Sequence, residues 1–273
     1  MIPFETMPGS PSSPVALVTG GARRVGAAIS RALADAGFRV WIHHRRSDDE
    51  ANRLRTEIGT ERCAVARADL ASPAERSALI AEVADPEGPF DGRLDLLVNN
   101  AASFEHGTFE ERTDDDLRRV LEVNFVAPLS LVRGLLPRLR AARPPSDLVP
   151  TPCVVNVLDL GALTPWPGYV DHCAAKAALE NATRSLAVAL APHVRVSAVV
   201  PGTVLWPDDP AFAEGAPARR RIEARIPLRR PGTPHDVARA VLYLAAAPYV
   251  TGEIHRVDGG RLAAAGVSGP TEA

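Results

Sequence analysis

The chain has 273 residues, 46% of them apolar and 23% charged, with a net charge of −2. That length holds one large α/β domain or two small ones and buries a substantial core, while the near-neutral charge argues against nucleic acid as a partner. No run of 18 apolar residues is present to span a membrane, and no HExxH or CxxC companion marks a metal site.

The N-terminal residues 1–13 are rich in Pro and Ser and read as a flexible extension, not a signal peptide. Residues 15–19 form a short β-prone run that ends in Gly20-Gly21, and a helix over about 23–36 stops at Gly37. A second strand at 39–43 leads into a polar helix at 48–58, and a third strand at 63–68 into a helix at 73–84 with proline in its first turn. The fourth strand is expected at 94–98, followed by one long helix over about 113–140 and a loop at 143–147. A fifth strand at 153–158, a long helix at 169–190 and a sixth strand at 194–200 come next. A Pro-rich stretch over 202–217, a helix at 234–246, a last strand at 253–257 and a small-residue tail at 263–273 complete the order.

Strands that are apolar on both faces and alternate with helices indicate a parallel sheet covered on each side. The expectation is a single α/β domain over residues 14–262: a doubly wound, Rossmann-type parallel sheet of about seven strands with helices on both faces. Cys63, Cys153 and Cys173 are an odd, scattered set, which fits reduced thiols in the cytoplasm.

The first strand-to-helix turn reads Thr19-Gly20-Gly21-Ala22-Arg23-Arg24-Val25-Gly26. Glycines there let backbone approach a pyrophosphate, and the helix N-terminus offers donors and a positive dipole end. The second strand runs out into His43-His44-Arg45-Arg46-Ser47, with no acidic residue to hold a ribose 2′-hydroxyl. Arginine suits a 2′-phosphate, so NADPH is the expected cofactor, with Arg46 and Ser47 as contacts and Arg45 in support. Asp69 and Asn99-Asn100-Ala101 fall at carboxyl ends of strands, where ligands bind in such sheets. One lysine, Lys176, stands among 31 basic residues, and His172 precedes it by one helical turn on the same face. Cys173 diverges from His172 by about 100° around that helix, against a Cys–His nucleophilic pair. The stretch 205–225, with Trp206 and an arginine-rich helix, is either a substrate lid or a surface excursion.

These motifs, with Asn124 in the long helix and Pro201-Gly202 after the sixth strand, together resemble the short-chain dehydrogenase/reductase family over about residues 14–262. Within it the chain is most similar to the pteridine reductases, in Arg24, the His-Arg-Arg-Ser stretch, Ser103-Phe104 and Asp159, which stands where most members place a catalytic serine. The family pattern is Tyr-x-x-x-Lys, and His172 occupies the tyrosine position, 13 residues after Asp159 as in that subgroup. The resemblance implies Asp159, His172, Lys176 and Asn124 as catalytic residues. It implies Gly20, Arg23, Arg24, Val25, Gly26, Asp69, Leu70, Asn100, Ala101, Lys176, Pro201 and Gly202 as cofactor contacts. Arg24, Ser103, Phe104, Asp159, Tyr169, Leu205 and Trp206 would face a pterin-like small-molecule substrate, with Phe104 stacked on it, in a cytoplasmic homotetramer.

The proton donor is the open point. A neighbouring ammonium favours neutral His172, a poor donor above neutrality. Asp159 can act either as a carboxyl with a raised pKa that donates to a ring nitrogen or as a carboxylate that accepts from the pterin. Besides pterin reduction, two further readings stand: reduction of another imine or activated carbonyl, and a silent NADPH-binding sensor or assembly protein.

Overall fold

A computed structural model of the chain describes residues 13–141, 146–207 and 209–265. The expected extension before residue 13, much of the loop at 143–147, Asp208 and the end of the tail lie outside the described residues. Seven strands form one parallel sheet: β1 (Val15–Val18), β2 (Arg39–His44), β3 (Cys63–Arg67), β4 (Leu96–Asn99), β5 (Cys153–Val157), β6 (Arg195–Pro201) and β7 (Ile254–Val257). Their order across the sheet is β3-β2-β1-β4-β5-β6-β7. The chain winds outward from β1 in one direction, then returns to β1 and winds outward in the other. That reversal opens a crevice at the carboxyl ends of β1 and β4, the place where such sheets bind ligands.

Alternate residues of each strand serve opposite faces. Ala16 and Val18 join a core completed by Leu33 of α1 (Arg24–Asp35), Leu54 of α2 (Asp48–Ile58) and Val241 of α8 (Pro234–Ala246). Val15 and Leu17 join the other, with Leu79 of α3 (Pro73–Ala84), Leu135 of α5 (Ala127–Ala141) and Leu190 of α6 (Val170–Leu190). Leu135 is fully buried, and truncating such a leucine to alanine costs about 2–5 kcal/mol. Local chemistry sets the helix starts. Thr113 and Asp116 form a capping box on α4 (Asp114–Leu121), Thr233 and Asp236 do the same on α8, and Ser72 caps α3 ahead of Pro73.

Two expected elements differ. The fourth strand begins at Leu96, not residue 94; just before it, Asp95 turns its carboxylate back to accept from Val15 N at 2.8 Å and to pair with Arg93. The expected long helix is three pieces, α4, a π-helical turn Glu122–Val126 and α5. Ala127 N reaches back five residues to Glu122 O, and Pro128, which has no N–H to offer, follows directly. By length and composition alone the run Asp114–Ala141 could cross a membrane, but Leu131, Leu135 and Leu139 lie in the core beneath the sheet.

Candidate active site

At the end of β1 the chain turns sharply into α1. Gly20 sits at φ +61°, and a Cβ on Gly26 would overlap Gly20 O, so both positions need glycine for the turn to close. Arg24 also adopts a left-handed φ of 52°, a strained conformation of the kind found at ligand sites. Among the described residues no side chain caps α1, which leaves the donors of its first turn available to an anion. Asn100 binds the turn from the other side, its Nδ2 donating to Thr19 O at 2.9 Å and Gly20 O at 3.1 Å. Asn99 faces the core instead, donating to Asn156 Oδ1 at 2.9 Å.

A cavity of about 790 Å³ runs from this turn to Lys176. Of the expected cofactor contacts, Gly20, Arg23, Arg24, Val25, Gly26, Arg45, Ser47, Asn100, Ala101 and Pro201 line it. Arg46 is exposed and outside its walls, whereas Arg45 borders it and lies 3.7 Å from Asp69 Oδ2. Asp69, Leu70 and Ser103 line a smaller cavity of about 250 Å³ that shares Arg45, Ala101 and Phe104 with the first. Gly202 lines neither described cavity; a Cβ there would lie 2.7 Å from Asp258 Cα. These uncapped donors, crowded glycines and cationic walls fit a dinucleotide phosphate chain.

At the other end Lys176 and His172, four residues apart on α6, are 3% and 1% exposed. Lys176 Nζ donates to Val157 O at 2.8 Å. Burial lowers its pKa, and the negative charge of Asp159 opposes that shift. His172 Nε2 lies 2.6 Å from Asp159 Oδ2, and Asp159 Oδ1 accepts from Gly161 N at 2.8 Å. His172 Nδ1 is 3.0 Å from Ser103 O and 3.3 Å from Asn124 Nδ2. Asn124, on the π-helical turn, clamps Ser103 through its backbone, accepting from Ser103 N and donating to Ser103 O, each at 2.8 Å.

This arrangement favours one of the two readings of Asp159 and corrects the expected neighbour of His172. Burial would push the Asp159 carboxyl up. The hydrogen bond from His172, the charges of Lys176 and His172 and the Gly161 N–H outweigh it and hold the group below the usual carboxylate range. A resting Asp159 is therefore a carboxylate, not a carboxyl with a raised pKa. The group in contact with His172 is likewise this carboxylate and not the Lys176 ammonium, whose hydrogen bond goes to Val157 O.

Aromatic rings wall the reacting end. Phe104, 52% exposed, stacks on Tyr169 with centroids 4.4 Å apart and meets His172 edge-on at 4.8 Å. Trp166 lies parallel to His172 at 6.4 Å. Phe104, Trp166, Asp159 and His172 border the large cavity, whereas Tyr169 backs Phe104 without reaching it. Leu205 and Trp206 do not line it either. Trp206 packs against Phe212 and under the guanidinium of Arg219 on α7 (Pro217–Ala224), and Pro207 borders the cavity. The loop with Phe104 is tied to α6 by Arg112, whose Nε donates to Asp171 Oδ2 at 2.8 Å. Cys173 is half-buried, and burial raises its thiol pKa, which disfavours a nucleophilic thiolate.

Sequence reasoning passed over Trp166 and His43. Trp166-Pro167-Gly168 is a large aromatic at a turn just ahead of the Lys176 helix, a signal that was available. His43 was visible only as one residue of a polar stretch. Its Nδ1 accepts from Gly20 N at 3.2 Å and its Nε2 lies 3.0 Å from Ala68 O.

Residues 20–261 match the family profile described as enoyl-(acyl carrier protein) reductase. The chain is 32% identical to pteridine reductase 1 of Leishmania tarentolae, over 93% of this chain and 98% of that one. It is 29% identical to 3beta-hydroxysteroid dehydrogenase 1 of Eggerthella lenta, over 89% and 92% of the two chains. The crystal structure of blue fluorescent protein from a metagenomic library, in complex with NADPH, matches with a TM-score of 0.78 and 30% identity over 91% of this chain and 97% of that one. The chain belongs to the short-chain dehydrogenase/reductase family and is an NADPH-dependent oxidoreductase.

Proposed function

We propose that this member of the short-chain dehydrogenase/reductase family reduces pterins or dihydropterins, taking the proton from the Asp159–His172 pair. The observation that carries the reading is the carboxylate of Asp159, 2.6 Å from His172 Nε2, in a cavity edged by Phe104 and Trp166. Flat ring faces suit a flat heterocycle, and a carboxylate beside them suits the amino and ring N–H groups of a pterin. The relative named pteridine reductase 1 supports the same substrate class.

NADPH, when bound, supplies hydride to the carbon of a C=N bond. Its holders are the turn of Gly20, Arg23, Arg24, Val25 and Gly26, with Arg45, Arg46 and Ser47 toward the 2′-phosphate. Asp69, Leu70, Asn100, Ala101, Pro201, Gly202 and Lys176 complete the set, with Lys176 at the nicotinamide ribose.

The substrate nitrogen needs a proton as its carbon is reduced. With a proton on each ring nitrogen, His172 donates from Nε2 to Asp159 Oδ2 and from Nδ1 to Ser103 O. The Nε2 proton passes to Asp159 and from there to the substrate nitrogen, leaving neutral His172 with its Nδ1 proton still on Ser103 O. Reprotonation of Nε2 from solvent resets the pair. Asn124 holds the Ser103 carbonyl in place throughout. In the same reading the protein is a cytoplasmic homotetramer built partly on α6, where Val188 is 83% exposed; sedimentation equilibrium tests the assembly.

The direct test follows NADPH absorbance with dihydrobiopterin from pH 5 to 8, for the natural protein and His172→Tyr. Turnover by the natural protein that strengthens toward low pH supports the reading. Turnover of a simple cyclic imine but not of the pterin selects the other-substrate reading. NADPH binding with no turnover on either rejects catalysis by His172.

A further inference from the structure

The phosphate turn rests on a buried histidine. His43, on β2, is 2% exposed and borders the large cavity. An amide N–H only donates and a carbonyl only accepts, so the bonds from Gly20 N to Nδ1 and from Nε2 to Ala68 O fix the ring as the neutral Nε2–H tautomer. The two bonds join three strands: Gly20 follows β1, His43 is on β2, and Ala68 follows β3 immediately ahead of Asp69.

The donors along the turn divide into two groups. Thr19 N donates to Val98 O, Gly20 N to the His43 ring and Gly21 N to His43 O. These three amides are used within the protein and point away from the space ahead of α1. Asn100 holds the carbonyls of Thr19 and Gly20. Among the described residues His43 alone accepts from the Gly20 N–H, the end of the Thr19–Gly20 peptide opposite the carbonyl that Asn100 holds, and Gly20 has no side chain to restrict its rotation.

We propose that His43 is a positioning residue for NADPH, fixing the Gly20 peptide so that the glycine turn and the N-terminus of α1 face the pyrophosphate. The inference rests on NADPH use and is independent of the substrate. Charging the ring would set a donor at Nδ1 against the Gly20 N–H, so the function requires the neutral form. Burial favours that form too, lowering the pKa to about 4.

Two near-isosteric replacements separate the bonds. The Asn Oδ1 stands at the bond count of His Nδ1 and can accept from Gly20 N, while the Gln Nε2 stands at that of His Nε2 and reaches only Ala68 O. NADPH and NADH dissociation constants, measured by fluorescence titration, are expected to rise about tenfold in His43→Ala and His43→Gln. His43→Asn should stay within about threefold of the natural protein. Both nucleotides should weaken equally, because the pyrophosphate is common to them. If His43→Ala does not fold, the Asn and Gln variants decide alone. Equal binding by Asn and Gln, tighter binding by Gln than Asn, or a loss confined to NADPH overturns the proposal.

Discussion

Replacing Asp159 separates its structural work from its chemical work. In Asp159→Ala, the Nε2–H of His172 loses an acceptor at 2.6 Å, and Lys176 loses the charge that opposes its burial. Removing one partner of a buried ion pair costs about 3–5 kcal/mol. The Asp159 side chain is 22% exposed, which places it at the low end, about 3 kcal/mol, or about 6–12 °C in Tm for a domain of this size. Asp159→Asn keeps an oxygen for His172 and exchanges a charged acceptor for a neutral one. That costs about 1–2 kcal/mol, or about 2–8 °C. An amide cannot pass a proton, so both variants are expected to lose about 10²–10⁴ in turnover. Circular-dichroism melts without nucleotide, paired with NADPH oxidation at saturating substrate, give the two readouts. The reasoning fails if Asp159→Asn keeps more than a tenth of natural turnover, or if Asp159→Ala melts within 2 °C of the natural protein.

Two further outcomes follow. The His43 pKa is lowered to about 4 by burial and by His44, with Ala68 O and Asp69 acting the other way. The unfolded chain therefore takes up this proton first. Stability is full above pH 6.5 and falls with pH toward 4, by about 1.4 kcal/mol per unit and about 3 kcal/mol in all. Denaturant titrations from pH 7 to 4.5 check this against His43→Asn, and parallel curves for the two proteins would refute it. Arg46→Ala is expected to weaken NADPH about 10- to 100-fold, the worth of a charge-assisted contact, and to leave NADH unchanged. Nucleotide titrations that find equal losses for both would remove Arg46 from the 2′-phosphate site.

Much of this protein was legible along the chain because it depends on neighbours in sequence. Apolar runs set the strands, Pro73 marks a helix start, and the crowding of Gly20 against Gly26 needs only seven residues. The spacing of Asp159, His172 and Lys176 was legible for the same reason. The break at residues 122–126 escaped because a wide turn keeps the composition of an ordinary helix. The charge state of Asp159 escaped because it depends on which partner sits at 2.6 Å and how much water is excluded. Trp206 was assigned to the pocket by its position in the chain, but packing sent it to Phe212 and Arg219. Identity and spacing are properties of the chain; burial, tautomer and ionisation belong to atoms that folding brings together, as Gly20 meets His43, 23 residues on, and Thr19 meets Asn100, 81 residues on. The sequence could name candidates for the cofactor end and the reacting end, but only folding decided that Asp159 is ionised and that His43 is neutral.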